Sequence, residues 1–204
     1  MYRIVEQPKR SETAKEKYIV ISPGRTASKS LFNHIHTSLN KLHIDHEIEN
    51  LETPMLWVDT VEDPEKWTVV ISTRNDMLAQ VLSFYVIILT AQTHKIKDVP
   101  LENFVMPRVY FFAFAYGLLF FNERVFNFKN WDKFKKVHWF VYEDIIKDWQ
   151  ATGKVLGFDD WEPRSKLHAK GYGSVWDNVI NKEEVLSWAK ELQLQNPFTF
   201  NEGR

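Results

Sequence analysis

A chain of 204 residues is long enough for one α/β domain with a sizeable core, and its 26 basic and 27 acidic residues leave a net charge of −1. That balance gives no electrostatic footprint for nucleic acid, and 44% hydrophobic with 26% charged residues is ordinary for a globular protein. The absence of cysteine excludes a disulfide scaffold and thiolate chemistry, which fits a reducing, cytoplasmic setting.

Residues 1–17 read as a polar lead-in without an apolar run, so no secretory signal is expected there; Tyr2 to Val5 has the pattern of a short edge strand. Tyr18 to Ile21 is apolar and β-branched, which predicts a buried strand. Ser22-Pro23-Gly24 breaks it, and the hydroxyl residues Thr26, Ser28 and Ser30 are of the type that starts helices. Leu31, Ile35, Leu39 and Leu42 then recur at helical spacing, so a helix is expected from about Ser28 to Leu42. Strand, tight polar loop and helix together aim backbone N–H groups and a helix dipole at one spot, beside the cations Arg25 and Lys29. A phosphate or sulfate suits that spot.

A nucleotide kinase loop of the G-x-x-x-x-G-K-[ST] type needs a second glycine, which is missing between Gly24 and Lys29-Ser30. No strand is read as ending in the acidic residue that would help hold Mg²⁺, and no metal site is expected. The loop instead resembles the 5′-phosphosulfate loop of the sulfotransferase superfamily, roughly P-[KR]-[ST]-G-[ST]-T. Aligned on the cation, Arg25-Thr26-Ala27-Ser28-Lys29 departs from it twice: Ala27 stands where glycine is usual, and Lys29 where a hydroxyl residue is usual.

His34 and His36, two apart on the helix, do not share a face and read as solvated or capping residues rather than a metal pair. Ile44 to Ile48 alternates like an edge strand, and 50–64 is an acidic loop. Trp67 to Ser72 predicts the next buried strand. Arg74 stands at its end, Asp76 is an N-cap candidate, and a helix is expected to about Thr93, with Leu78, Val81, Leu82 and Tyr85 on one face. Sulfotransferases carry an arginine at a strand end and a serine eight or nine residues on, which grip the 3′-phosphate of the nucleotide donor. Arg74 and Ser83 are separated by 83 − 74 = 9. The stretch Arg74-Asn-Asp76-Met-Leu-Ala-Gln80-Val-Leu-Ser83 is most similar to the bacterial trehalose and lipopolysaccharide sulfotransferases, whose pattern is close to R-x-D-x-x-x-Q-A-x-S.

Residues 90–99 read as loop. Val109 to Phe121 runs 13 residues without a charge, fewer than the roughly 20 of a membrane span, and predicts a core or subunit-interface helix (as in a homodimer) ending near Phe128. Val137 to Tyr142 is another strand. It runs into Glu143-Asp144, and Val141-Tyr-Glu-Asp-Ile-Ile146 resembles the Y-E-D-L after a central sulfotransferase strand. Lys154 to Phe158 resembles the helix end that trails it. Lys170-Gly171 and Gly173, with Trp176 nearby, resemble the late loop that folds over the nucleotide. Lys182 to Leu192 is an amphipathic closing helix with Val185, Trp188, Ala189 and Leu192 inward.

The resemblance spans about Tyr18 to Trp176. It implies a single P-loop α/β domain of three α/β/α layers around a mostly parallel sheet. The implied donor is 3′-phosphoadenosine 5′-phosphosulfate, without a metal, and the implied acceptor is a hydroxyl of a carbohydrate or glycolipid. By resemblance, Arg25 is catalytic. Gly24, Thr26, Ala27, Ser28, Lys29 and Ser30 serve the 5′ side of the donor, and Arg74, Ser83, Lys170 and Gly171 the 3′-phosphate. The general base stays open among His46, Glu47, Asp59 and His94. A P-loop kinase and a non-catalytic binding module of the same fold are the rival readings, and Ala27 is the feature that favours the second.

Overall fold

A computed structural model describes residues 15–51, 58–90, 101–161 and 175–194. In chain order the main elements are β1 (Glu16–Ile21), α1 (Ser28–Lys41), β2 (His46–Leu51), β3 (Trp67–Thr73), α2 (Met77–Thr90), α3 (Arg108–Asn127), β4 (Lys136–Val141), α4 (Tyr142–Lys147), α5 (Trp149–Val155) and α6 (Lys182–Glu191). The four strands form one sheet in the order β2-β1-β3-β4, and every pairing is parallel. From β1 the chain moves outward to β2, then returns to the other side of β1 for β3. The strand order therefore reverses between β1 and β3. In open parallel sheets the crevice at the carboxyl ends of such a pair is where ligands bind. The loops after β1 and β3, residues 22–27 and 74–76, both lie there.

The central strands are apolar on both faces because both faces are covered. On one side Tyr18, Val20 and Val70 pack with Leu31, Ile35 and Leu39 of α1, Ile145 of α4 and Trp149 of α5. On the other, Ile19, Ile21, Val69 and Ile71 pack with Phe121 and Val125 of α3. This is an α/β fold with helices on both faces of a parallel sheet. Each fully buried Val or Ile contributes on the order of 2 kcal/mol. A third cluster, away from the sheet, joins α2, α3 and α6 through Val81, Leu82, Phe111, Leu118, Val185 and Ala189.

Some sequence expectations shift. Helix α1 closes at Lys41, so Leu42 drops off the inner stripe and is 57% exposed. His34 is not solvated: it is buried, its Nδ1 lies 2.7 Å from the Ser30 carbonyl, and its ring meets Trp149 and Trp161 at 4.7 and 5.4 Å. Tryptophan rings from α5 and the segment after it close over this histidine, which no local pattern announces. Helix α3 is not buried all round: Val109, Tyr110, Tyr116 and Phe120 are exposed, because the sheet and the α2–α6 pair take only two of its sides. At 20 residues it is also long and apolar enough, by length and composition alone, to cross a membrane. The expected strand at 2–5, the loop at 91–99, the end of α2 near Thr93 and the basic stretch from Arg164 through Gly173 lie outside the described residues.

Candidate functional site

The loop from Ser22 to Ala27 is built by unusual backbone and by side chains reaching in from two other elements. Gly24, Arg25 and Ala27 have φ of 82°, 59° and 62°, the left-handed region. Glycine is favoured at 24 on two grounds: its φ is positive, and a Cβ there would press at 3.2 Å on the Phe84 ring. The Ser22 hydroxyl accepts the Gly24 N–H at 3.1 Å. The Gln80 side-chain amide donates to the Gly24 carbonyl at 2.6 Å, and the Ser72 hydroxyl donates to the Thr26 carbonyl at 2.5 Å. Two loop carbonyls are thereby turned onto α2 and β3.

Helix α1 starts without a side-chain cap. Ala27 is its N-cap and has no side chain able to accept, and no acidic residue stands in the first turn. Leu31 makes the first helical hydrogen bond, to the Ala27 carbonyl at 3.0 Å. The N–H groups of Ser28, Lys29 and Ser30 precede that bond and have no intrahelical acceptor. Thr26 is fully buried, and its hydroxyl has no hydrogen-bond partner among the described residues. Ser28 and Ser30 are buried beside it, while Lys29 is exposed. Positive helix-end potential, free donors and an orphan hydroxyl together make a place for an anion.

The loop cation is brought to α2: Arg25 Nε donates to Ser83 Oγ at 2.7 Å. Gln80, Ser83 and Phe84 follow the i, i+3, i+4 spacing, so one face of α2 clasps residues 24 and 25. Arg74 has different partners. Its Nε lies 3.7 Å from the Glu143 carboxylate without a hydrogen bond, and its guanidinium stacks 4.6 Å from the Tyr142 ring. The two residues expected to share one phosphate thus rest against different neighbours, Ser83 on Arg25 and Arg74 on Glu143. Glu143 also accepts the Asn75 and Asp76 N–H groups at 3.1 and 3.2 Å, and Asp76 Oδ1 accepts from Ala79 N at 2.8 Å, the predicted N-cap.

The remaining candidates scatter. His46 and Glu47 pair with Glu16 and Lys17 at the amino end of the sheet, five and four residues back from Leu51, so they lie roughly 15 Å from the loop side. That distance removes both as bases for a reaction at the loop. His46 Nδ1 instead meets the Ile44 carbonyl at 2.9 Å, and Glu47 pairs with Lys17 at 3.3 Å. Asp59 falls in the short 3-10 turn Val58–Thr60. His94, Lys170 and Gly171 lie outside the described residues. β4 closes at Val141, and Glu143 and Asp144 follow it in the first turn of α4, after the strand as the sequence predicts. That strand is separated from β1 by β3, and Glu143 is engaged at the start of α2. Of the two strands beside β1, β3 ends in Ser72 and Thr73 with no carboxylate and Arg74 just after it, while β2 carries Glu49 two residues before its end. Shifted ionisations fall away from the loop. Burial, then the Lys136 charge, lowers His138, and burial, then the neighbouring Glu47, raises Glu49.

Ser22, Ser72 and Phe84 hold the loop and were not predicted to. The signal for Ser72 is a polar residue closing an apolar strand. For Gln80 and Ser83 it is two polar residues at i, i+3 in an otherwise apolar helix. No protein-family model matches the chain, and a search of curated proteins returns no match.

Proposed function

We propose that this chain is a sulfotransferase that moves a sulfonate from 3′-phosphoadenosine 5′-phosphosulfate to an acceptor hydroxyl on a carbohydrate or glycolipid. One observation carries the reading. The loop with three positive φ angles, ending on an uncapped helix beside the orphan Thr26 hydroxyl, has its cation anchored on Ser83. Such a cradle fits a sulfate or phosphate group, and the missing carboxylate on β3 disfavours a magnesium-nucleotide kinase. The donor supplies a sulfonate already activated by its bond to phosphate. Thr26, Ser28 and Ser30 would hold the anionic 5′ end, and Arg25 would offset charge growing on the leaving phosphate oxygen. Arg74 would meet the 3′-phosphate by giving up Glu143. Arginine suits that role because its guanidinium fork matches a phosphate dianion.

A second reading, a non-catalytic binding module, is favoured by Ala27. Its methyl group sits at φ 62° where the resembled loop has glycine. One experiment separates the readings. Thermal unfolding is followed with adenosine 3′,5′-bisphosphate and with ATP plus Mg²⁺, and labelled donor is offered to sugars and glycolipids. A ligand at 100 times its Kd adds about 2.7 kcal/mol. Stabilisation by the bisphosphate together with label transfer is expected. Stabilisation by ATP and Mg²⁺ alone refutes the sulfotransferase reading. Bisphosphate binding without transfer or donor hydrolysis selects the module.

A further inference from the structure

The two helices that begin at the carboxyl ends of β1 and β3 are finished in opposite ways. The start of α1 has no carboxylate, whereas the start of α2 has two, Asp76 from its own chain turn and Glu143 from the end of β4. Glu143 lies 68 residues from Asn75 in sequence and places one oxygen on each of two successive N–H groups. The same carboxylate faces Arg74, whose Nε is buried and without a hydrogen bond. A pair of backbone N–H groups with an arginine alongside is how proteins commonly hold phosphate. Here a side chain of the protein is seated in it.

We infer that Glu143 is a resident anion that a ligand's phosphate displaces from Arg74, and that its charge weakens the hold on a nucleotide bearing a 3′-phosphate relative to one with a 3′-hydroxyl. This rests on the reading that Arg74 meets that phosphate. At 3.7 Å, with no hydrogen bond on Nε, the Arg74–Glu143 attraction is Coulombic only. A phosphate dianion offers Arg74 twice the charge and short charge-assisted bonds, so it wins the guanidinium. The Tyr142 ring 4.6 Å beneath keeps the guanidinium in place during the exchange. The carboxylate left behind then repels the dianion. A nucleotide with a 3′-hydroxyl leaves Arg74 on Glu143 and loses nothing. Asp76 is a second carboxylate at this corner, and Asn75 and Tyr142 stand there without charge.

The test is calorimetric titration of wild type, Glu143→Gln and Arg74→Ala with adenosine 3′,5′-bisphosphate and adenosine 5′-phosphate. Glu143→Gln removes the charge and keeps an acceptor for one of the two N–H groups, with its amide NH2 set against the other. It should bind the bisphosphate roughly 10-fold more tightly, the scale of relieving one like-charge contact near the surface, with 5′-phosphate affinity unchanged. An equal gain for both ligands, or no gain for the bisphosphate, overturns the inference. If Glu143→Gln does not fold, Glu143→Asp draws the charge back by one methylene and should still tighten bisphosphate binding; unchanged affinity in that variant overturns the inference as well. Wild type that binds no bisphosphate, or Arg74→Ala that binds it as wild type does, sinks the functional reading and this inference with it. Binding that depends on Arg74 but gains nothing from loss of the Glu143 charge sinks the inference alone.

Discussion

Ala27 is the position where the loop's backbone and its residue type disagree, and Ala27→Gly measures the disagreement. An L-residue in the left-handed region costs about 1–2 kcal/mol, and Ala27 sits at φ 62°, ψ 13°. Glycine removes that cost. Against it, glycine gains freedom in the unfolded chain, worth about 0.4–1 kcal/mol. The Ala27 methyl is half-buried against the α1 side of the sheet, so losing it costs about half of the 0.8 kcal/mol of a fully buried carbon, roughly 0.4 kcal/mol. From midpoints, about 1.5 less 0.7 less 0.4 leaves a net stabilisation of about 0.4 kcal/mol. For a chain of this length that is a rise in Tm of about 1–2 °C. The contrast that makes it measurable is Ala27→Val. A β-branched residue is a true outlier at positive φ, so this variant should fall below wild type by at least about 1 kcal/mol. The order Gly, Ala, Val in urea midpoint and in calorimetric Tm is the expected result. A destabilised Ala27→Gly, or an Ala27→Val equal to wild type, would mean that the loop is not held left-handed at this residue.

Gln80→Leu removes the amide that meets the Gly24 carbonyl and leaves that buried acceptor empty; the expected loss is about 2 kcal/mol by urea denaturation, and a loss under about 0.5 kcal/mol would show that α2 does not hold the loop. Gly153→Ala places a Cβ 2.1 Å from the Trp161 ring, a clash a buried tryptophan cannot relieve by swinging away, so a loss of about 3 kcal/mol is expected in the same assay. Ser83→Ala leaves Arg25 Nε without its acceptor, so on the sulfotransferase reading it should lower turnover in the same direction as Arg25→Ala, for which about 10²-fold is expected; full activity in both would place the catalytic charge elsewhere. His138 is held below the ordinary histidine range, so the unfolded chain takes the proton first as pH falls. Its contribution is full above about pH 6.5 and shrinks below it, so wild type should lose Tm between pH 7 and pH 5 more steeply than His138→Gln, and equal slopes would refute the assignment.

The sheet was legible because its signal is one of burial. Three short apolar runs, Tyr18–Ile21, Trp67–Ser72 and Val137–Tyr142, and the alternating stretch Ile44–Ile48 announced the four strands, and two-sided burial of Ile19, Val20, Val69 and Val70 requires helices on both faces. The uncapped start of α1 was legible in part, since the hydroxyl residues announced a helix there. Which residue caps it was not, because that depends on φ at Ala27, and a methyl side chain does not advertise a left-handed turn. His36 is exposed as expected, but His34 departs from expectation for a related reason. Whether His34 is wet or dry is decided by Trp149 and Trp161, over a hundred residues further on. His46 and Glu47 were open candidates for the base, but a strand has two ends, and parallel pairing with Glu16 and Lys17 puts them at the end away from the loops.

The nine-residue spacing from Arg74 to Ser83 shows how a spacing can match a resembled pattern while the resting geometry differs from the one it implies. Spacing fixes a helical turn, not the direction in which a side chain is used. Ser83 shares the face of Gln80 and Phe84, and that face is pressed on Gly24 and Arg25, so the hydroxyl meets the loop cation. Arg74 stands before the helix begins, where the nearest carboxylate comes from β4 rather than from α2. A ligand spanning both places would have to offer one anionic group to the α1 start and another to Arg74. Two phosphate-like groups on one nucleoside offer two such anionic groups, and a single inorganic anion offers one. This is the physical reason to test a bisphosphate before a monophosphate. It is also why losing the Arg74 contact and losing the Arg25–Ser83 contact should damage binding and turnover in different proportions.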